Sequence, residues 1–319
     1  MAKAKLSEVE EAAQLVYALL QPTPARLSPG LSKSAGAHIW LKHENELPTG
    51  AFKVRGGLVY LSKLLATGTV TGVCAATRGN HGLSVAFAAA RHDLPAVIVV
   101  PNGNSPEKNS AIEALGARLI QVGDDYDESV RYAQQLAQDE GLHLVPSFHE
   151  DLVLGVATYA LEFLNAVPDM QRIYVPVGLG SGICGVLRAK EALDHEVEII
   201  GVVSDQFQTY PLSLEAGHPV VTHPGFSIAD GLSVRTASRE VLSELNRGVS
   251  RVIAVSDAAI LGAMGMMMRE LDQHVEGAGA AGLAGALSES DRHSPQDVIG
   301  VVISGGNVSS ALMTQAMNQ

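Results

Sequence analysis

Ile173-Tyr174-Val175-Pro176-Val177-Gly178-Leu179-Gly180-Ser181-Gly182-Ile183-Cys184-Gly185 joins an apolar run to a glycine turn and the start of a helix. The apolar run of residues 173–177 reads as a buried strand. Glycines after it allow unusual dihedrals and a close backbone approach to an anion, which the N–H groups can wrap. No Lys or Arg lies within residues 178–185, so a phosphate here would be met by N–H groups and the helix dipole. Residues 180–185 also fit G-x-G-x-x-G, and Asp205 lies about 20 residues further on, which keeps a dinucleotide fold open as a rival.

The same alternation extends in both directions. Short apolar runs at 39–42, 72–75, 96–100, 119–122 and 142–145 read as buried strands, as do 197–203, 251–255 and 298–303. Stretches of helical length and period, such as 129–140 and 152–164, lie between them. Strands separated by helices predict an α/β protein with parallel sheets covered on both faces. Ser105, Pro106 and Glu107 mark one helix start by cap, first-turn proline and dipole complement. Glycine and proline are spread along the chain, so a boundary between lobes is a hinge and not a tether. The acidic cluster Asp124, Asp125, Asp127, Glu128 lacks the glycine and terminal glutamate of a calcium loop and reads as a solvated helix N-terminus.

Composition narrows the partners. The 319 residues carry 22 Lys+Arg against 34 Asp+Glu, a formal net charge of -12, which offers no electrostatic case for nucleic acid or an anionic membrane. Two cysteines, Cys74 and Cys184, make no disulfide framework and no zinc spacing. The N-terminal stretch 1–11 is polar and charged, unlike a signal peptide. A soluble cytoplasmic protein is expected.

Three further segments carry chemistry. Pro48-Thr49-Gly50-Ala51-Phe52-Lys53-Val54-Arg55-Gly56-Gly57 follows the strand at 39–42 and opens a helix for which Thr49 is the expected cap. A lysine near a helix N-terminus is pushed towards its neutral, nucleophilic form, which imine formation requires. Thr77-Arg78-Gly79-Asn80-His81-Gly82 joins a strand to an apolar helix over 83–91 and offers N–H groups, a hydroxyl and an amide to an anion. Ser304-Gly305-Gly306-Asn307 closes the strand at 298–303 and places a hydroxyl at the carboxyl edge of a sheet, where α/β ligands bind.

Taken in order, TGAFKVRGG, TRGNHG, GLGSG, IADGLSV, EGAGAAGLA and SGGN closely resemble the fold-type II pyridoxal phosphate (PLP) family of serine/threonine dehydratases and serine racemases. The likeness runs from Thr49 to Asn307. It implies a two-lobed α/β fold, each lobe a parallel-rich sheet flanked by helices: a large lobe of residues 1–66 and 149–319, and a small one of 67–148. It implies Lys53 as the PLP-bearing lysine and the base at Cα. Phe52 would pack on the cofactor ring and Asn80 would bond its phenolic oxygen. Gly178, Leu179, Gly180, Ser181 and Gly182 would hold the phosphate, and Ser304 the pyridine nitrogen. Thr77, Arg78, Gly79, Asn80 and His81 would surround the substrate carboxylate. Glu276 is placed near the cofactor without a role. The implied reaction is β-elimination from a β-hydroxy-α-amino acid, by a homodimer. A hydroxyl opposite the pyridine nitrogen makes a weaker electron sink than an aspartate, which suits early loss of a β-substituent.

Departures from the family matter too. Arg78 stands where racemases keep a serine as second acid/base, and a guanidinium is a poor proton shuttle. It could instead pair with a substrate carboxylate, including a second one as in 3-hydroxyaspartate. The glutamate of the family's divalent-cation site is missing around Val202, Val203 and Ser204, and Asp205 alone does not make a site; no metal is expected. The short sequence after SGGN leaves no expected room for a regulatory C-terminal domain.

Overall fold

The computed structural model describes residues 5–223 and 225–319; the first four residues of the expected large lobe and polar N-terminal stretch lie outside the described residues. The strands are β1 Ala25–Leu27, β2 His38–His43, β3 Val73–Ala76, β4 Ala96–Val100, β5 Arg118–Gln121, β6 His143–Leu144, β7 Arg172–Pro176, β8 Glu198–Ser204, β9 Arg251–Val255 and β10 Val298–Ile303. They form a six-stranded sheet, β1-β2-β10-β7-β8-β9, and a four-stranded sheet, β5-β4-β3-β6. The strands pair in parallel except β1 with β2. The α/β class with parallel-rich sheets and flanking helices is therefore as the sequence implies.

Burial explains which runs became strands. β3 and β4 are buried at every position and β10 at all but its first, so hydrophobic content alone marks them. The antiparallel edge strand β1 was not anticipated. It is three residues long, with Leu27 exposed, so it carries no apolar run.

One cap expectation is corrected. The helix Lys53–Thr67 begins four residues after Thr49, with Phe52 at its N-cap and no side-chain cap. Thr49 Oγ1 instead donates to the Ala51 carbonyl at 3.3 Å. Ala51 bridges to Gly305, and Phe52 N–H donates to the Ser304 carbonyl at 3.1 Å. Extended pairing thus holds the chain out of the helix until Lys53. The helix after β3 starts earlier than expected, at Asn80–Ala90, so Asn80 and His81 stand in its first turn.

The start of the Lys53 helix is anchored by a buried ionic network. Arg55 donates from Nε to Glu44 at 2.7 Å and from Nη1 to Glu162 at 2.6 Å and to Thr158 at 3.1 Å. Lys42 pairs with the same Glu162 and donates to the Thr23 carbonyl at 2.7 Å. The network joins β2, the Lys53 helix and the helix Glu150–Ala166.

The two sheets' surroundings meet through charges. Asp125 caps the helix Tyr126–Asp139 by accepting from Glu128 N–H at 2.9 Å, the helix-start reading given to that acidic cluster. It also faces Arg235 at 3.5 Å, and Arg235 pairs more closely with Asp127. Among the described residues no helix is long and apolar enough to cross a membrane, and no group of three or more His, Cys, Asp or Glu could hold a metal ion.

Candidate active site

Four sheet ends and helix starts converge. β7 runs into the glycine turn, and the helix Ser181–Leu193 follows with Gly180 at its N-cap and no side-chain cap. Gly180 has φ +99° and lies against Val241, a conformation and a contact that exclude a side chain. A side chain at Gly178 would run into the Gly231 carbonyl, so the turn is held against the IADG segment. The first-turn N–H groups of this helix are left for an anion.

Lys53 points at this turn. Its Nζ donates to Ser181 Oγ at 3.1 Å and lies 5.1 Å from the Phe52 ring centre. Burial lowers its ammonium to about 8, against a smaller opposing pull from Glu276. Desolvation is the first cause of this shift, where the sequence pointed to the helix dipole. Ser84 Oγ fixes the lysine backbone by donating to the Lys53 carbonyl at 2.6 Å. Phe52 meets Tyr159 edge-to-face at 6.0 Å and faces Gly182, where a Cβ would stand 3.5 Å from the ring.

The SGGN turn after β10 stitches the motifs together. Asn307 Nδ2 donates to the Thr49 carbonyl and to Asn80 Oδ1, each at 2.8 Å. Gly305 accepts from Glu276 N–H at 3.1 Å. Ser304 is buried, and its hydroxyl has no hydrogen-bond partner among the described residues.

Asn80 Nδ2 donates to Glu276 Oε1 at 2.5 Å. Glu276 is buried, and burial together with Asp230 raises its carboxyl while Lys108 and Asn80 oppose the rise. Lys108 Nζ stands 3.4 Å from Glu276 Oε2, without hydrogen-bond geometry, and 2.8 Å from Asp230 Oδ2. Burial works against the Lys108 charge, but the two carboxylates outweigh it and raise its pKa.

The loop before Asn80 is equally ordered. Thr77 Oγ1 accepts from Gly79 N–H at 2.9 Å and Gly82 N–H at 3.2 Å, which leaves its own proton to donate. Gly79 lies on the Lys108 stem. His81 is buried, with Nε2 unpartnered; burial and the nearby Lys53 charge hold its pKa down at about 3, so it is neutral. Arg78 is exposed and has no ion-pair or hydrogen-bond partner among the described residues.

The structure thus brings Phe52, Lys53, Asn80, Gly178, Leu179, Gly180, Ser181, Gly182, Glu276 and Ser304 to one cleft, with Thr77, Gly79 and His81 beside Asn80 and Arg78 at its outer edge. Sequence reasoning gave no role to Lys108, Asn307 or Asp230. Asp230 and Asn307 sat within recognised motifs, but Lys108 gave only the signal of a cation in a helix first turn, where the dipole disfavours it.

The residues suit a pyridoxal phosphate. A buried amine stands beside an uncapped helix N-terminus, and the Ser304 hydroxyl lies on the turn whose carbonyl accepts from Phe52 N–H. The family model for "Pyridoxal-phosphate dependent enzyme" matches residues 16–305. An L-threonine ammonia-lyase of Thermotoga maritima is 31% identical over 98% of this chain and 78% of its own. Threonine dehydratase 1 of Solanum lycopersicum is 34% identical over 85% of this chain, which spans only 45% of that protein's length. The solved structure of maize serine racemase superposes with a TM-score of 0.92, at 28% identity, covering 99% of this chain and 98% of the other. With nearly the whole chain matched and the lysine, the glycine turn and the closing serine in one cleft, the chain belongs to the pyridoxal-phosphate dependent enzymes.

Proposed function

We propose that the chain is a PLP-dependent ammonia-lyase that converts a β-hydroxy-α-amino acid, of the threonine, serine, 3-hydroxyaspartate or 3-phenylserine type, into a 2-oxo acid and ammonia. The observation that carries this is the Lys53 amine, with its pKa lowered to about 8, 3.1 Å from Ser181 at an uncapped helix N-terminus. The ammonia-lyase of Thermotoga maritima, similar over 98% of this chain, supports the reaction class.

When bound, the cofactor supplies an aldehyde for the amine and an electron sink for the Cα–H bond. Residues 178–182 would hold its phosphate by N–H groups, Phe52 its ring face, Ser304 its ring nitrogen, and Asn80, backed by Glu276, its phenolic oxygen. Thr77 donates its free hydroxyl proton to the substrate carboxylate. Gly79, Asn80 and neutral His81 line the same side, and Arg78 lies outermost. Lys53 takes the Cα proton. The Cβ–O bond breaks with its electron pair going to oxygen, which takes up one proton, balancing the one Lys53 removes from Cα, and leaves as water. The released enamine tautomerises, and a second water replaces its nitrogen, giving the 2-oxo acid and ammonia.

Arg78 sets elimination apart from racemisation. Inverting Cα needs a proton donor on the face opposite Lys53, and a permanently protonated guanidinium does not release one. A homodimer in the cytoplasm is the proposed setting, and sedimentation of the purified chain reads its mass. The central test is a panel of β-hydroxy amino acids assayed for ammonia and 2-oxo acid with no thiol added. Release of both in equal amounts is expected. Product formed only with an added nucleophile would make the chain a β-replacement synthase, and an inverted amino acid without ammonia would make it a racemase.

A further inference from the structure

A pocket of about 160 Å³ is lined by residues that include Arg78, Pro101, Asn102, Asn104, Asp124 and Asp230. Its wall draws on the substrate-side loop, the turn after β4, the turn after β5 and the IADG segment. It adjoins the candidate site, since Arg78 follows Thr77 in the substrate-side loop, and Asp230 holds Lys108 at 2.8 Å, with the Lys108 stem against Gly79. Apart from Pro101, the lining side chains named here are polar. Such a wall offers a threonine methyl or a phenyl ring no apolar partner.

The charges balance. Asp230 already has Lys108, so what remains is one guanidinium, Arg78, and one carboxylate, Asp124. The Asp124 side chain makes no ion pair among the described residues; only its backbone N–H donates, to Glu128 at 2.9 Å. A second substrate carboxylate would meet Arg78 but also face Asp124. A second ammonium would meet Asp124 but face Arg78. The hydrogen-bonding groups are mixed as well: Asn104 Nδ2 donates to Asn109 at 2.6 Å, which leaves its oxygen as an acceptor, while Arg78 is a donor only.

We infer that this pocket selects β-hydroxy-α-amino acids whose side chain continues past Cβ to a neutral amide, the amide oxygen accepting from Arg78 and its N–H groups donating to Asp124 and Asn104. The inference rests on the ammonia-lyase reading and names the substrate class of that same site.

Two measurements on the PLP-loaded chain test it. In the first, L-glutamine, L-glutamate, L-ornithine and L-norvaline, none with a β-hydroxyl to lose, are titrated by calorimetry. Glutamine is expected to bind at least about tenfold more tightly than the other three, since a site built for hydrogen bonds rejects analogues that leave its groups unpaired. Tightest binding of glutamate, of ornithine or of norvaline, or equal binding of all four, overturns the inference. In the second, kcat/KM for 3-hydroxyglutamine is compared with threonine in the native chain and in Asp124→Ala. The amide substrate is expected to lead by about tenfold, through KM, and its lead to collapse in the variant. Ammonia from threonine with no preference for the amide overturns the pocket assignment alone. No ammonia from any β-hydroxy amino acid overturns the reading beneath it.

Discussion

Lys53 Nζ donates to Ser181 Oγ across 3.1 Å, so the first residue of one helix touches the first residue of another that starts 128 positions later. An amine and an anion cradle are thereby joined before any ligand arrives. The amine's pKa near 8 sets its reactivity with an aldehyde. The neutral fraction rises with pH through that value, where an ordinary lysine would need about two units more. Uptake of pyridoxal phosphate by the cofactor-free chain, followed by its absorbance, should therefore have a midpoint near pH 8. Lys53→Ala should bind without the yellow band and give no ammonia; a yellow, active variant would remove Lys53 from its role.

Lys108 bridges Glu276 at 3.4 Å and Asp230 at 2.8 Å. Burial already raises the Glu276 carboxyl, and removing the Lys108 charge would raise it further, which favours the protonated form. A protonated Glu276 is a weaker acceptor for the Asn80 amide. Lys108→Met should weaken pyridoxal phosphate by about tenfold, or about 1.4 kcal/mol, measured by equilibrium dialysis. Lys108→Arg should restore part of the loss, while equal binding in all three proteins would show that the bridge does not bear on the cofactor side.

How much of this was legible depended on whether the cause was local. β4 and β10 could be read because an uncharged run made mostly of Val and Ile has few places to go but a sheet interior. The helix start at Lys53 could not, because what delays it is pairing of Ala51 with Gly305 and of Phe52 with Ser304, more than 250 positions away. The same holds at the site. Lys53, Asn80 and the glycine turn announce themselves by residue type and spacing. Asn307, which donates to both Thr49 and Asn80, and Lys108, which spans from one sheet's surroundings to the other's, acquire meaning only from partners far along the chain. Asp125 and Asp127 read locally as a helix start, and their pairing with Arg235 is again a distant fact.

His81 makes stability depend on acid. Its folded pKa is held near 3 by burial first and the Lys53 charge second, whereas in the unfolded chain it takes a proton near 6.5. Between those values the unfolded state binds more protons, so stability falls as pH falls. The contribution reaches on the order of 3 kcal/mol by pH 4. His81→Gln should flatten that stretch of the denaturant midpoint-versus-pH curve, and a parallel curve would place the acid sensitivity elsewhere.

Arg55 is fully buried between Glu44, also buried, and Glu162. Replacing it with Met removes the only guanidinium of this network and leaves Lys42 to balance two carboxylates. Breaking a buried pair from one side costs about 3–5 kcal/mol, because the stranded charge has neither water nor partner. Chemical denaturation of Arg55→Met should show a loss of that size. Arg55→Met with Glu44→Gln should recover part of it, since the stranded charge is then gone. The position two residues after Lys53 adds a second readout. If the network also aims the lysine, the pH midpoint of pyridoxal phosphate uptake should move in Arg55→Met under conditions where the variant is folded. A loss of stability with an unmoved midpoint would limit Arg55 to holding the helix Lys53–Thr67 in place.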